Sequence, residues 1–268
     1  MSSFATEGRA LERARPLAAR ARSGLRRGAL SVLSALPRRP RHGIRIVHYH
    51  YVFDDERERF AEQLRYLARE FEPVSVSEAV DRLRTGRVGG NEVAVTFDDG
   101  FRNQVENAAP LLAELGFRGC FFLVTGFVGA RPDDAARFCR ERFHLPFPVE
   151  PLDWPDAERL LELGHEVGSH TRSHPELTTL GHDELRLELD SSREELARRV
   201  GPVRHFSVPY GDRARFSEMV AGAAREARYE SCATAIRGPN RSALDLYALH
   251  RDHLSARWPV RELAYFLA

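Results

Sequence analysis

From residue 44 onward, short apolar runs alternate with longer segments whose apolar residues recur at helical spacing. Residues 44–52 (IRIVHYHYV) are β-branched and aromatic, which predicts a strand. ERERFAEQLRYLAREF follows, with Phe60, Leu64 and Leu67 on one helical face and Pro73 as a stop. A second helix is expected over 76–85 after the cap candidate Ser75, and Gly86, Gly89 and Gly90 form a loop. EVAVTF (92–97) is apolar on both faces, the mark of a central parallel strand. NQVENAAPLLAELG reads as a helix closed by Gly116, and GCFFLVTGF as the next strand. Beyond it come a helix entered at Pro155 and closed at Gly164, the short strand HEVGSH, and the long helix HDELRLELDSSREELARRVG. Strands at 203–208, 232–236 and 247–254, a helix at 216–227 and a terminal helix from Pro259 complete the pattern. Such alternation implies parallel pairing through crossovers, hence an α/β barrel or an open doubly wound sheet. Both place chemistry at the C-terminal ends of strands.

The 268 residues suffice for one well-buried domain or two small ones. Net charge is +1, but residues 1–42 hold ten Arg against Glu7 and Glu12, so this end is +8 and the remainder −7. That asymmetry argues against a chain-wide nucleic-acid binder. The Arg-rich segment reads either as a solvated tail with a fraying helix over 6–36 or as an amphipathic helix on anionic lipid. For the second reading, Leu11, Leu17, Leu25, Leu30 and Leu33 alternate with arginines, which would give a peripheral membrane contact. GALSVLSAL (28–36) is weakly apolar, comes late and precedes PRRPRHG, unlike a secretory signal. No run approaches the roughly 20 apolar residues of a membrane span. The expectation is a cytoplasmic chain. Cys120, Cys139 and Cys232 are odd in number and imply no disulfide framework, and Cys120 in CFFLV is expected as a small buried hydrophobe.

Three motifs sit at expected strand ends. TFDDG (96–100) puts two carboxylates where like charges raise one another's pKa, with Gly100 permitting a sharp turn. It is either a turn without chemistry or a site in which one aspartate binds a cation while the other faces elsewhere. GSHTRSHP (168–175) spaces His170 and His174 by four, which predicts both rings on one side of a helical turn facing a shared metal. Thr171 stands where a zinc-protease HExxH pattern would carry Glu, so a base must come from another segment. SVPYG (207–211) presents the backbone N–H of Tyr210 in a rigid turn, a candidate oxyanion donor.

Together TFDDG, H-x-x-x-H and PYG resemble the polysaccharide deacetylase family of carbohydrate esterases, in order and interval, from residue 44 to the C-terminus. The resemblance implies a distorted, incomplete seven-stranded (β/α) barrel that removes acetyl groups from N-acetylated sugars or glycans with a divalent metal, often zinc. It implies Asp99, His170 and His174 as ligands, Asp98 as the base toward metal-bound water, and Tyr210 as the oxyanion donor. VHYHYV (47–52) resembles the tyrosine-histidine strand of a subgroup acting on exopolysaccharides and lipid-linked glycans, which would make His50 the general acid. A core histidine beside His48 is the plain alternative, and His253 in LHRDHL is the competing acid. Many members carry Arg two residues before the PYG proline. Ser207 stands there instead, and Arg251 is a candidate substitute. Other readings are an amide hydrolase for a small non-sugar substrate, a non-catalytic glycan binder, or a membrane-recruited scaffold.

Overall fold

The computed structural model describes residues 4–8 and 42–267; the expected helix over 6–36 lies almost wholly outside them. The strands are β1 (Arg45–Tyr49), β2 (Glu72–Pro73), β3 (Glu92–Phe97), β4 (Cys120–Leu123), β5 (Glu166–Ser169), β6 (His205–Ser207), β7 (Ser231–Ala233) and β8 (Asp252–His253). The helices are α1 (Arg57–Glu70), α2 (Val76–Thr85), α3 (Ala109–Glu114), α4 (Pro132–Glu141), α5 (Trp154–Glu162), α6 (His182–Val200), α7 (Glu218–Glu226) and α8 (Val260–Leu267). No described helix is long and apolar enough to cross a membrane.

All pairings between named strands are parallel, in the order β7-β6-β5-β4-β3-β1-β8, with short β2 beside β3. The sheet curls into an incomplete barrel of seven strands, as expected. The predicted strand at 247–254 is mostly irregular: Leu249 bridges Ala233 while only Asp252 and His253 join β1. Further backbone bonds from Thr234 to Leu249 and from Arg251 to Ile236 draw the two ends of the sheet together.

Strand alternation sorts the side chains. Val47, Tyr49, Val93, Val95 and Phe97 pack with Phe60, Leu64 and Leu67 of α1 in the main core. Ile44, Ile46, Ala94, Cys120, Phe122 and Leu249 form a second cluster with Val76, Ala79, Val80 and Leu83 of α2. Continuing that second face along the same strands leads to His48, Thr96 and Asp98, so the polar site stands on an apolar floor. Ser75 begins α2 as expected: its hydroxyl accepts from the Glu78 N–H at 3.1 Å, while Glu78 accepts from the Ser75 N–H at 2.7 Å.

The segment predicted as one helix over 103–116 begins as a π-helical turn, Gln104–Ala108, before α3. Pro110 lacks the N–H that a regular α-helix would give to Glu106. Helix α4 had no counterpart in the sequence reading. In β5, a Cβ on Gly168 would collide with the buried Phe122 ring and lie 3.1 Å from the His205 carbonyl oxygen. Gly168→Ala is therefore expected to lower stability by about 1–3 kcal/mol through overpacking. Denaturant unfolding checks this, and an unchanged midpoint would refute the close packing.

Candidate active site

Six side chains singled out in the sequence meet at the C-terminal ends of the strands. His50 follows β1, Asp98 and Asp99 follow β3, His170 and His174 follow β5, and Tyr210 follows β6. All six line one open cleft of about 360 Å³, together with His48, Phe143, Asp212, Arg215 and His253.

Asp99 sits at φ 79°, a conformation rare for a residue with a side chain, and Gly100 follows at φ 89°. The reversed backbone brings Asp99 into the cleft beside Asp98, although simple alternation would separate them. Its Oδ1 lies 3.6 Å from His170 Nε2 and 3.4 Å from His174 Nε2. The three residues are 2–4% exposed, and one ligand atom from each falls within 4.8 Å of the others.

The His170–His174 spacing does not work through a helical turn. Residues 170–174 are irregular, with Thr171 at φ 69° and His174 at φ 56°. Thr171 Oγ1 accepts the His174 N–H at 3.0 Å, closing the turn from inside. Glu188 of α6 fastens it from outside, accepting the N–H groups of Arg172 and Ser173 and the Ser173 hydroxyl. The rings still converge, by a tight left-handed turn rather than by helical periodicity. Backbone strain at Asp99, Thr171, His174 and Tyr210 (φ 61°) thus gathers at the cleft.

Local partners set the chemistry. The Ser207 carbonyl oxygen lies 2.7 Å from His170 Nδ1, a contact in which the ring donates and Nε2 keeps its lone pair toward Asp99. Burial pushes His170 down to about 4 and His174 well below its ordinary value, so both rings are neutral at neutral pH. Burial and the adjacent Asp98 push Asp99 well above the usual carboxylate range. Asp99 Oδ1 and His174 Nδ1 are buried without a hydrogen-bond partner among the described residues. An orphaned carboxylate oxygen facing two neutral imidazole rings fits a divalent cation, and one carboxylate with two histidines is a zinc-type donor set.

Asp98 is held differently. Arg251 Nη1 donates to its Oδ1 and Nη2 to its Oδ2, both at 2.7 Å, with Arg251 1% exposed. Arg251 also donates to the Thr234 carbonyl oxygen and the Ser207 hydroxyl, and its guanidinium stands 5.5 Å above Phe122. Burial alone would raise the Asp98 pKa, but the Arg251 charge and hydrogen bonds outweigh it and hold the carboxyl well below its usual range. Ser207 therefore receives a guanidinium arriving from the residue just before β8, the strand at the far edge of the sheet. Gln104 ties the tops of β1 and β3 together, its Nε2 donating to the carbonyl oxygens of His50 and Asp98.

His50 is half-buried, and burial lowers its pKa. Its ring lies 5.5 Å from that of His48 and 5.3 Å from that of His253. The Tyr210 ring packs edge-on at 4.8 Å from His174, and its hydroxyl donates to the Arg142 carbonyl oxygen. Phe143, Asp212 and Arg215 were absent from the sequence reading. They stand on connecting loops, where no periodic pattern marks them.

Residues 85–231, more than half the chain, match the family model described as polysaccharide deacetylase. The peptidoglycan-N-acetylmuramic acid deacetylase PdaA of Bacillus subtilis is 27% identical over 128 residues, 47% of this chain and 40% of that protein. A chitooligosaccharide deacetylase of Sinorhizobium fredii is 31% identical over 139 residues, 49% of this chain and 54% of that protein. These matches span about half or less of the curated relatives' length. Among solved structures, the Streptococcus pyogenes deacetylase PplD in complex with acetate superposes with TM-score 0.69 at 19% identity, covering 85% of this chain and 99% of that one. IcaB from Ammonifex degensii gives 0.67 at 24%, covering 84% and 97%. Those two likenesses are of fold. The sequence match encloses both aspartates, both ligand-type histidines and Tyr210, and the chain belongs to the polysaccharide deacetylase family.

Proposed function

We propose that this chain is a cation-dependent N-deacetylase acting on an N-acetylated sugar or glycan, with zinc as the cation. The observation that carries the reading is the orphaned Asp99 Oδ1 facing His170 and His174, with a separate carboxylate, Asp98, lining the same cleft. Asp99, His170 and His174 would hold the cation, which supplies Lewis acidity toward an acetamide carbonyl and lowers the pKa of a water.

The remaining work falls to the protein. Asp98 takes the proton of the attacking water, and its pairing with Arg251 keeps it ionised across the working pH range. The backbone N–H of Tyr210 faces charge that develops on the carbonyl oxygen. No hydrogen bond engages this N–H among the described residues, and the left-handed turn at Tyr210 fixes its direction. His50 hands a proton to the departing nitrogen. Burial keeps the resting ring neutral, so the proton that Asp98 takes from the attacking water is passed to His50 before the C–N bond breaks and leaves with the amine.

The direct experiment follows acetate release from N-acetylated oligosaccharides, with ureides as a non-sugar comparison. Activity on the oligosaccharides is expected to vanish on chelation and return with zinc. Release that survives exhaustive chelation, or activity on ureides alone, would end this reading. The two candidate acids separate by mutation: His50→Ala should lower turnover roughly 10²-fold or more, and His253→Ala should cost less. Full turnover in His50→Ala would reassign the acid.

A further inference from the structure

We infer that His48, His50 and His253 form a second divalent-cation site, whose occupation takes the His50 ring out of proton transfer and turns the enzyme off. The inhibitory part rests on the proposed deacetylase reading; the binding site does not. His48 and His253 are cross-strand partners in the β1–β8 register, and His50 lies two residues beyond His48 on the same side of the chain. The three rings form a triangle with centroid separations of 5.0, 5.3 and 5.5 Å. One ring nitrogen from each falls within 4.8 Å of the others.

Nitrogens bound at the usual 2.0–2.1 Å around one zinc ion would stand roughly 3.3 Å apart, so only modest ring rotation is needed. His48 is 2% exposed and fixed, whereas His50 is half-buried and His253 exposed at the mouth, leaving those two room to turn. His48 Nδ1 is a buried nitrogen without a hydrogen-bond partner among the described residues.

The surroundings allow a cation here. The nearby positive charge of Arg251 is matched by Asp98 in their bidentate pair. Burial lowers the pKa of both His48 and His50, leaving neutral rings with free lone pairs. Three imidazoles without a carboxylate favour zinc, copper(II) or nickel(II) over magnesium or calcium. The Asp99 triad offers a carboxylate, which a bound cation would hold ionised, and this cluster offers none, so the Asp99 site fills first and the second ion arrives only at excess.

The test uses the untagged full chain, stripped of metal and dialysed against a graded series of zinc concentrations, with bound zinc measured by elemental analysis. Wild type should bind two equivalents, H253A and H50Q one each, and D99N one. In wild type, acetate release should rise with the first equivalent and fall roughly 10²-fold or more with the second, as expected when an acid–base group is withdrawn. In H253A the fall should disappear. A single equivalent in wild type, or a second one that persists in H253A, would overturn the site. If D99N keeps its one equivalent while wild type releases no acetate, the cluster stands and the deacetylase reading fails by itself. Circular dichroism of each variant separates a lost site from a lost fold.

Discussion

Asp98→Asn is expected to lower kcat for acetate release by roughly 10²–10⁴-fold, the usual contribution of a positioned general base, while zinc binding at Asp99, His170 and His174 persists. Asparagine has nearly the same shape as aspartate and reaches the same atoms, but its amide cannot accept a proton from water. Arg251 then loses its ionic partner while keeping the Thr234 carbonyl oxygen and the hydroxyls of Thr96 and Ser207 as acceptors. The fold should therefore survive with reduced stability. Asp99→Asn supplies the contrast: it also abolishes turnover, but through loss of the zinc equivalent held by Asp99, His170 and His174. Elemental analysis beside kinetics tells the two carboxylates apart. If Asp98→Asn turned over at near wild-type rate, or lost its zinc as Asp99→Asn does, the division of labour between the adjacent aspartates would be wrong.

Local chemistry was readable wherever a single segment carries it. The strand EVAVTF is β3 to the residue, and 76–85 is α2 to the residue, because one is apolar on both faces and the other has a complete capping box. The two aspartates at the end of β3 could be recognised for the same reason: charge is costly after a fully buried strand. Other features depend on partners far along the chain. The Asp98–Arg251 pair spans 153 positions, and no local pattern announces it. Its trace lies in the departure at Ser207 from the family pattern, which makes Arg251 the candidate substitute, and the structure places Arg251 there. Helix α4 escaped notice because only Ala135 and Cys139 are buried on it, too few to make an apolar stripe. The two histidine rings converge with Asp99, but not through the helical geometry their spacing predicts, since spacing by four suits both a helical turn and the left-handed turn that Thr171 and Glu188 hold.

The structure also shows how Asp98 keeps a guanidinium partner despite the departure from the family pattern at Ser207. The guanidinium beside the Asp98 carboxylate enters here from the segment just before β8 rather than from β6. Here β6 offers the small Ser207, and Arg251 reaches across to fill the space. What holds Asp98 here is a bidentate ion pair above Phe122, supplied by residue 251 rather than residue 207.

Arg251→Met should be the most damaging substitution to stability at the site. It leaves the Asp98 carboxylate 3% exposed with its counter-ion gone, and breaking one side of a buried pair costs about 3–5 kcal/mol. The pH dependence gives the sign. In wild type the folded Asp98 pKa lies below the unfolded value, so its contribution is complete above an unfolded pKa of about 3.9 and is lost as pH falls below that. In the variant, burial outweighs what the Ser207 hydroxyl and the neighbouring imidazoles still supply, and the folded pKa rises above the unfolded one, so the variant loses stability as pH rises between the two. The stability gap between wild type and variant is therefore expected to be widest at neutral pH and to narrow on acidification toward pH 4. The acid limb of the pH–rate profile should move upward by the same cause. Arg251→Lys should restore part of the stability but not the bidentate contact. The double variant R251M/S207R, which returns a guanidinium from β6, should recover part of both stability and rate. Chemical denaturation across pH checks the first claim and kcat profiles the second. A stability gap that stays constant with pH would mean that Arg251 acts through packing over Phe122 rather than through the charge of Asp98.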